Sequence, residues 1–303
     1  MKNISASISA RLKNISKGEN KGFDFILTLY MIERLIYRLS ISGFADNFIL
    51  KGGLLLYLKL HNNFRPTKDI DLLAKNIKSD MQYVSNIFKE ICNFKVEDDG
   101  LIFEAKTITF EKIKEEQEYE GVRIKITCFL GKIMKLIQLD IGFGDIIVPK
   151  SYTIDYPILL DMPQPKVSVY SLESVISEKF NAMVDLADTN SRMKDFYDIS
   201  KLATSFNFDG RLLQKAICET FKRRKKEFRK NPIIFTDEFK NNSDKLIQWA
   251  AFLRRLPKSP KIDFESIIDL IIVFLKPVYL SVLNDKNFQK EWSFKKREWK
   301  NID

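Results

Sequence analysis

Histidine is nearly absent. The 303-residue chain has one, His61, in the polar turn KLHNNF. Any Ser/His/Asp or Cys/His relay would have to be built on that residue, which has no local partner motif. Cysteine is scarce as well. Cys92, Cys128 and Cys218 are widely separated and odd in number, a pattern that suggests neither a disulfide framework nor a zinc cluster. No G-x-x-x-x-G-K-[ST] occurs, so a Walker phosphate loop is excluded. Residues 1–17 alternate polar and apolar side chains without a continuous apolar core, so no secretory signal is expected. The longest apolar run, IIDLIIVFL from Ile267, is interrupted by Asp269 and falls far short of the ~20 residues that span a bilayer. A cytoplasmic protein with no membrane segment is expected.

What remains is ordinary globular composition with one bias. Hydrophobic residues make up 45% and charged residues 30%, and the length suffices for two domains with sizeable cores. The formal charge is +10, which favours a polyanionic partner over a featureless charged surface. Carboxylates and lysines are left to carry any catalysis.

Periodicity divides the chain into a mixed half and a helical half. Ile26, Leu27, Tyr30, Met31, Leu35 and Leu39 recur at helical spacing. A strand over 48–50, a short helix over 54–60, a strand over 70–73 and a helix over 79–91 follow. Strands are expected over 101–110, 122–130 and 133–143, the last two joined at Gly131-Lys132. The stretch YPILLDMPQPKVSVYS, with Pro157, Pro163 and Pro165, reads as a passage between domains. Everything beyond it reads helical: 172–186, 193–204, 211–230, 244–256 and 264–284, with a break or kink near Pro277. The expected domains are 1–165 and 166–303.

The chemistry concentrates in FILKGGLLLYLKLHNNFRPTKDIDLL, from Phe48. Residues two apart share a strand face, so Asp69 and Asp71 project together, opposite Ile70 and Leu72. Two adjacent carboxylates repel unless a cation or solvent screens them, and oxygen-only ligands suit Mg2+ or Mn2+. In IQLDIGF, Asp140 sits on the polar face of an apolar strand and needs a partner. If that strand lies beside the first, Asp140 completes a three-carboxylate cluster able to hold two ions. A solvated edge bearing two charges is the alternative. Gly52-Gly53 opens a helix whose backbone N–H groups could receive a phosphate, so metal-bound triphosphate is a coherent ligand. Lys51 and Arg65 flank the motif as phosphate contacts or as solvated charges.

A glycine pair opening a short helix, then D-x-D and a later Asp, is similar to the nucleotidyltransferase pattern of the DNA polymerase β superfamily. With SEKFNAMVDLADTNSRMKDFYDI from Ser177, it resembles the AbiEii/AbiGii family, the toxin component of type IV toxin–antitoxin and phage-defence (abortive infection) systems. YMIERLIYRLSISG, ahead of the glycine pair, also fits, and the resemblance spans residues 11–202. The wider superfamily has Gly-Ser where this chain has Gly52-Gly53, which leaves only backbone donors there. The resemblance implies an α+β fold, a polymerase β-like nucleotidyltransferase domain with a mixed sheet followed by an α-helical C-terminal domain. It implies Mg2+ (or Mn2+) held by Asp69, Asp71 and Asp140, an NTP substrate, an RNA acceptor such as the 3′ end of tRNA, and a cognate antitoxin. A non-catalytic nucleic-acid-binding protein and a carboxylate–metal ribonuclease are the rival readings.

Lys179 lies on the apolar stripe of Leu172, Val175, Ile176, Phe180 and Met183. There it either snorkels to the surface or reaches a buried anion. The resemblance gives it a role against nucleotide phosphates. Asp195 and Asp198 share one helix face; one could enter the cleft while the other pairs with Arg192, Lys194 or Lys201, and the resemblance, in whose pattern the K-D dipeptide is characteristic, favours Asp195. Finally, FKRRKKEFRK from Phe221 and EWSFKKREWK from Glu291 interleave basic residues with Phe228, Trp292, Phe294 and Trp299. Such runs neutralise RNA phosphates and stack on unpaired bases, or they are solvated faces.

Overall fold

The computed structural model describes residues 3–60, 65–115, 119–257 and 260–302; His61 lies outside them. The chain forms two compact units. The first comprises Met1–Lys59, Thr67–Gly144 and Tyr152–Val169, and the second Leu60–Pro66, Asp145–Ser151 and Tyr170–Asp303.

In the first unit, helices α1 (Ile4–Gly18) and α2 (Phe23–Ser40) precede β1 (Phe48–Lys51), α3 (Gly52–Leu60), β2 (Asp69–Ala74) and α4 (Met81–Cys92). Then come β3 (Leu101–Glu115), β4 (Tyr119–Leu130), β5 (Ile133–Phe143), β6 (Tyr152–Asp155) and β7 (Lys166–Val169). All seven strands join one mixed sheet in the order β3-β4-β5-β2-β1-β7-β6. The β3-β4-β5 meander is antiparallel, whereas β5 pairs parallel with β2. The alternation that reads as a half-buried strand holds in β4: Val122, Ile124, Ile126 and Cys128 are buried while Arg123, Lys125 and Thr127 are half-buried.

The proline-rich stretch is not merely a connection. β7 lies inside it and pairs parallel with β1 at Leu50 and Val169, so the first unit runs to Val169 and not to 165. Four residues, KVSV, are too few to stand out as a strand among prolines.

α2 is buried almost all round, charges included. Arg38 grips Asp99 at 2.6 and 3.1 Å, and Glu33 accepts the Leu159 N–H at 2.8 Å while Arg34 stands 3.4 Å away. Burial pushes the Glu33 carboxyl up to about 7, outweighing the Leu159 N–H and Arg34, which pull the other way. The folded chain therefore binds this proton more tightly than the unfolded chain. The associated stability is full below the ordinary value of 4.5 and is lost as pH rises through 7. Over that window the loss is ~2–3 kcal/mol at most. Glu33→Gln removes the titration, so its melting temperature relative to wild type should rise by roughly 4 °C or more between pH 5 and pH 8. Equal differences at the two pH values would refute the shifted titration.

The second unit contains α5 (Leu172–Leu186), α6 (Met193–Ala203), α7 (Gly210–Arg223), α8 (Asp237–Lys240), α9 (Ser243–Arg254) and α10 (Phe264–Leu283). It is not wholly helical. β8 (Phe208–Asp209), β9 (Lys290–Ser293) and β10 (Glu298–Asn301) make a small antiparallel sheet. α7 stops at Arg223 instead of running to 230, because Arg224 caps it and Lys225 turns to φ 49°. α10 runs continuously through Pro277. At 20 residues it is long and apolar enough to cross a membrane, which the nine-residue run alone does not suggest. Here it packs on α6 and α7, burying Phe264, Ile268, Ile271, Phe274 and Leu275, and its Asp269 pairs with Lys240 at 3.0 Å.

Candidate active site

The first unit assembles the D-x-D motif and the third Asp by strand register. β2 and β5 run parallel with Asp71 beside Asp140 and Asp69 beside Gln138. β4 places Arg123 opposite Asp140, and β1 places Lys51 opposite Asp71. One rung of the sheet therefore reads Arg123, Asp140, Asp71, Lys51 across four strands. Paired residues share a face, so two carboxylates stand side by side with a cation at each flank. Asp69 is exposed on that face, and Ile70 and Leu72 are buried on the other.

Asp140 has found its partner. The Arg123 guanidinium donates to both of its oxygens, at 2.7 and 2.8 Å. This pair raises the Arg123 pKa above its ordinary value, with the Asp140 hydrogen bond the leading cause. Arg123 lies within the strand expected over 122–130 but carries no expected role; the Arg123/Asp140 register depends on hairpin pairing.

The glycine pair behaves differently from expectation. Gly52 has φ +66°, and a β-carbon there would overlap the Asp71 carboxylate. The Gly53 N–H donates to Asp71 Oδ2 at 3.3 Å. The space reserved by Gly52 thus admits the protein's own carboxylate, placed as an anion at the α3 N-terminus. The donor expected to face a phosphate is already engaged.

Three carboxylates on one face supply the oxygen-only chemistry that Mg2+ or Mn2+ requires. Among the described residues, however, no three acidic, His or Cys groups stand together at metal-binding distance. The bidentate Arg123 contact accounts for this at Asp140. Asp69 and Asp71 carry oxygens of the kind a hard cation takes, and Asp140 could add its own only in exchange for Arg123.

The second unit gathers the other expected site residues into a buried ion network. Lys179 Nζ, from α5, lies 2.6 Å from Asp195 and 2.8 Å from Asp198, both 0% exposed on α6. Arg192 closes one end at 2.7 Å from Asp195, and Arg65 closes the other with two 2.8 Å hydrogen bonds to Asp198. Lys179 therefore does not snorkel. The anions it reaches belong to this chain. Both Asp residues bind Lys179, and Asp195 also pairs with Arg192, one of the expected outer partners, while Lys194 is exposed and Lys201 lies over the Tyr197 ring. Burial alone would lower the Lys179 pKa, but Asp195 and then Asp198 outweigh it and hold the ammonium charged. Burial likewise opposes ionisation of Asp195, and Lys179 and Arg192 overcome it, leaving that pKa lowered.

Phe228, Trp292 and Trp299 of the basic runs pack against neighbouring groups. Phe228 stacks on Phe221 at 4.8 Å, and Trp292 donates its indole N–H to the Ala203 carbonyl at 2.7 Å. Trp299 donates to the Phe274 carbonyl at 2.9 Å. Trp292 is fully buried and so is not available to stack on a base, whereas Phe228 and Trp299 are half-buried against these neighbours. Arg224 is buried near Glu178 and Asp145, at 3.9 and 4.0 Å. Lys222, Lys225, Lys295, Lys296 and Arg297 remain at the surface.

A family model described as "Nucleotidyl transferase AbiEii toxin, Type IV TA system" matches residues 34–270. A search of curated proteins finds no match. Among solved structures, the chain is similar to a protein from H. pylori assigned as a nucleotidyltransferase, with TM-score 0.50 and 15% identity, covering 88% of this chain and 100% of that one. Similarity to JHP933 from Helicobacter pylori has TM-score 0.48 and 15% identity, covering 87% of this chain and 95% of that one. At such identity the first likeness speaks to the fold alone.

Proposed function

The chain belongs to the AbiEii family of nucleotidyl transferase toxins of type IV toxin–antitoxin systems, and from that premise we propose that it transfers a nucleoside monophosphate from an NTP to RNA. The acceptor in this reading is the 3′ end of tRNA, whose extension blocks aminoacylation and hence translation. The protein acts in the cytoplasm and is held in check by a cognate antitoxin.

The observation that carries the reading is the rung Arg123–Asp140–Asp71–Lys51 with Asp69 on the same face. Asp69 and Asp71 would hold Mg2+, with Asp140 joining them in exchange for Arg123. A divalent cation there supplies charge neutralisation to the triphosphate and acidity to the attacking hydroxyl. The N-terminal turn of α3, opened by Gly52 and Gly53, and Lys51 lie beside the triphosphate. The acceptor hydroxyl oxygen attacks the α-phosphorus in line as the bond to the β-phosphate oxygen breaks; pyrophosphate leaves and the hydroxyl proton passes to water. Lys179, Asp195 and Asp198 act as positioning residues in the second unit, fixing Arg65 and Arg192.

Incubation of the purified chain with small RNAs, Mg2+ and each labelled NTP tests this. Label should appear on RNA, lengthened at its 3′ end, and only with NTP present. Cleavage of RNA without NTP would instead establish a carboxylate–metal nuclease. Binding with neither outcome would leave a nucleic-acid-binding module.

A further inference from the structure

The second unit contains a pocket of about 570 Å3 lined by the first turn of α6, the last turns of α9, and Arg65 with Pro66. Its volume falls in the range of small-molecule sites. Four lining side chains are cationic, Arg65, Arg192, Lys194 and Arg255, and none of the lining residues is acidic. The rest is largely apolar. Met193 and Leu256 are buried, and Phe252 is half-buried and held by Tyr197 and Trp249, with ring centroids 5.6 and 5.4 Å away. Gln248 also lines it, and its buried Oε1 has no hydrogen-bond partner among the described residues.

Asp195 and Asp198 face Lys179, Arg65 and Arg192 on the inner side of the pocket. Lys194 and Arg255, both exposed, bring two further cations to its rim. Like charges gathered around one cavity repel each other until an anion enters. Arg65 is also fixed in advance by its two bonds to Asp198, so less side-chain freedom is lost when it meets a ligand.

We infer that this pocket binds a nucleoside phosphate, with phosphate oxygens against Arg255 and Lys194 and the planar base against Phe252 and Met193. A small carboxylate would satisfy the cations and leave the apolar wall wet. A nucleoside phosphate uses both, and its base can offer an N–H to Gln248. The inference deepens the transferase reading and takes from it the two sources of that chemistry, a free NTP and the terminal nucleotide of an RNA strand.

The test is equilibrium binding of the full chain in chelator-containing buffer, first to a labelled NTP and then to a labelled single-stranded oligoribonucleotide. Lys194→Glu/Arg255→Glu alters two exposed residues outside the ion network, and a melting curve checks its fold. A matched charge reversal, Lys295→Glu/Lys296→Glu on the β9–β10 hairpin, is the control. The pocket variant should bind at least one ligand at least tenfold more weakly than wild type, and the hairpin variant should change less than threefold. Loss confined to NTP identifies the free nucleotide as occupant. Loss confined to the oligonucleotide, with a flatter salt dependence, identifies the RNA end. Wild-type affinity for both ligands in the pocket variant overturns the inference, as does equal loss in the hairpin variant or absence of binding by wild type. Label transfer by wild type is measured separately, so failure of the pocket and failure of the transferase reading give different results.

Discussion

Asp71→Asn should reduce nucleotide transfer by at least about a thousandfold, equivalent to ~4 kcal/mol in barrier height. Asparagine keeps an oxygen for the Gly53 N–H and nearly the same volume beside Gly52, so the β1–α3 turn is preserved. What it loses is the anionic ligand at the centre of the rung. In the metal-free protein the repulsion from Asp140 that is relieved is set against the attraction of Lys51 and the α3 N-terminus that is lost. The melting temperature should therefore stay near that of wild type. Steady-state incorporation of labelled nucleotide and a thermal melt, taken on the same preparation, decide the matter. Turnover near wild type would remove Asp71 from metal binding and leave the rung as a structural ion array.

Lys179→Met should destabilise the chain by about 3–5 kcal/mol, because it strips the shared cation from two buried carboxylates. From the helix stripe alone the swap looks innocuous, since methionine matches the lysine stem. Volume is not the deciding quantity here. Asp195 would keep Arg192 and Asp198 would keep Arg65, but the two carboxylates would face each other across the vacated position. Asp195→Asn added to Lys179→Met removes one of those charges and should recover part of the loss. The readout is the urea midpoint at constant slope. Asp195 titrates below its ordinary value, so the stability it contributes is present above pH 3.8 and lost as pH falls through its lowered pKa. The gap between wild type and Lys179→Met should accordingly be full at pH 7 and shrink below about pH 4. An unchanged midpoint at pH 7 would mean that the arginines alone neutralise the network.

The mixed sheet was legible in the sequence wherever a strand was long or alternating. β5 has the predicted bounds, Ile133–Phe143, and it lies beside β2, the arrangement under which Asp140 joins the D-x-D face. Short strands were not legible: KVSV and FD carry too few residues to show a period. The terminal hairpin was read as a basic aromatic surface because sequence cannot tell a tryptophan that stacks on a base from one that stacks on Phe274. At the site, the types of residue were apparent and their partners were not. The pairings Arg123–Asp140 and Arg65–Asp198 join residues 17 and 133 positions apart, and a pairing at that range depends on the tertiary path. The glycine pair was legible as offering N–H groups to an anion, but that the oxygen they meet belongs to Asp71 is a question of register.

The chain passes from one compact unit to the other five times, since residues 60–66 and 145–151 are excursions into the second unit from within the first. No single cut separates the units. A fragment beginning near 166 would contain every helix from α5 onward, yet would lack Arg65 and leave Asp198 with Lys179 alone. It would also lack Val148, whose carbonyl accepts the hydroxyls of Ser171 and Ser174 at the start of α5. Attempts to express the two halves apart, or to exchange one half between relatives at a single junction, would thus break internal bonds on the helical side. Inheritance of these units is interleaved: a viable recombination must exchange the two short excursions together with the helices they complete.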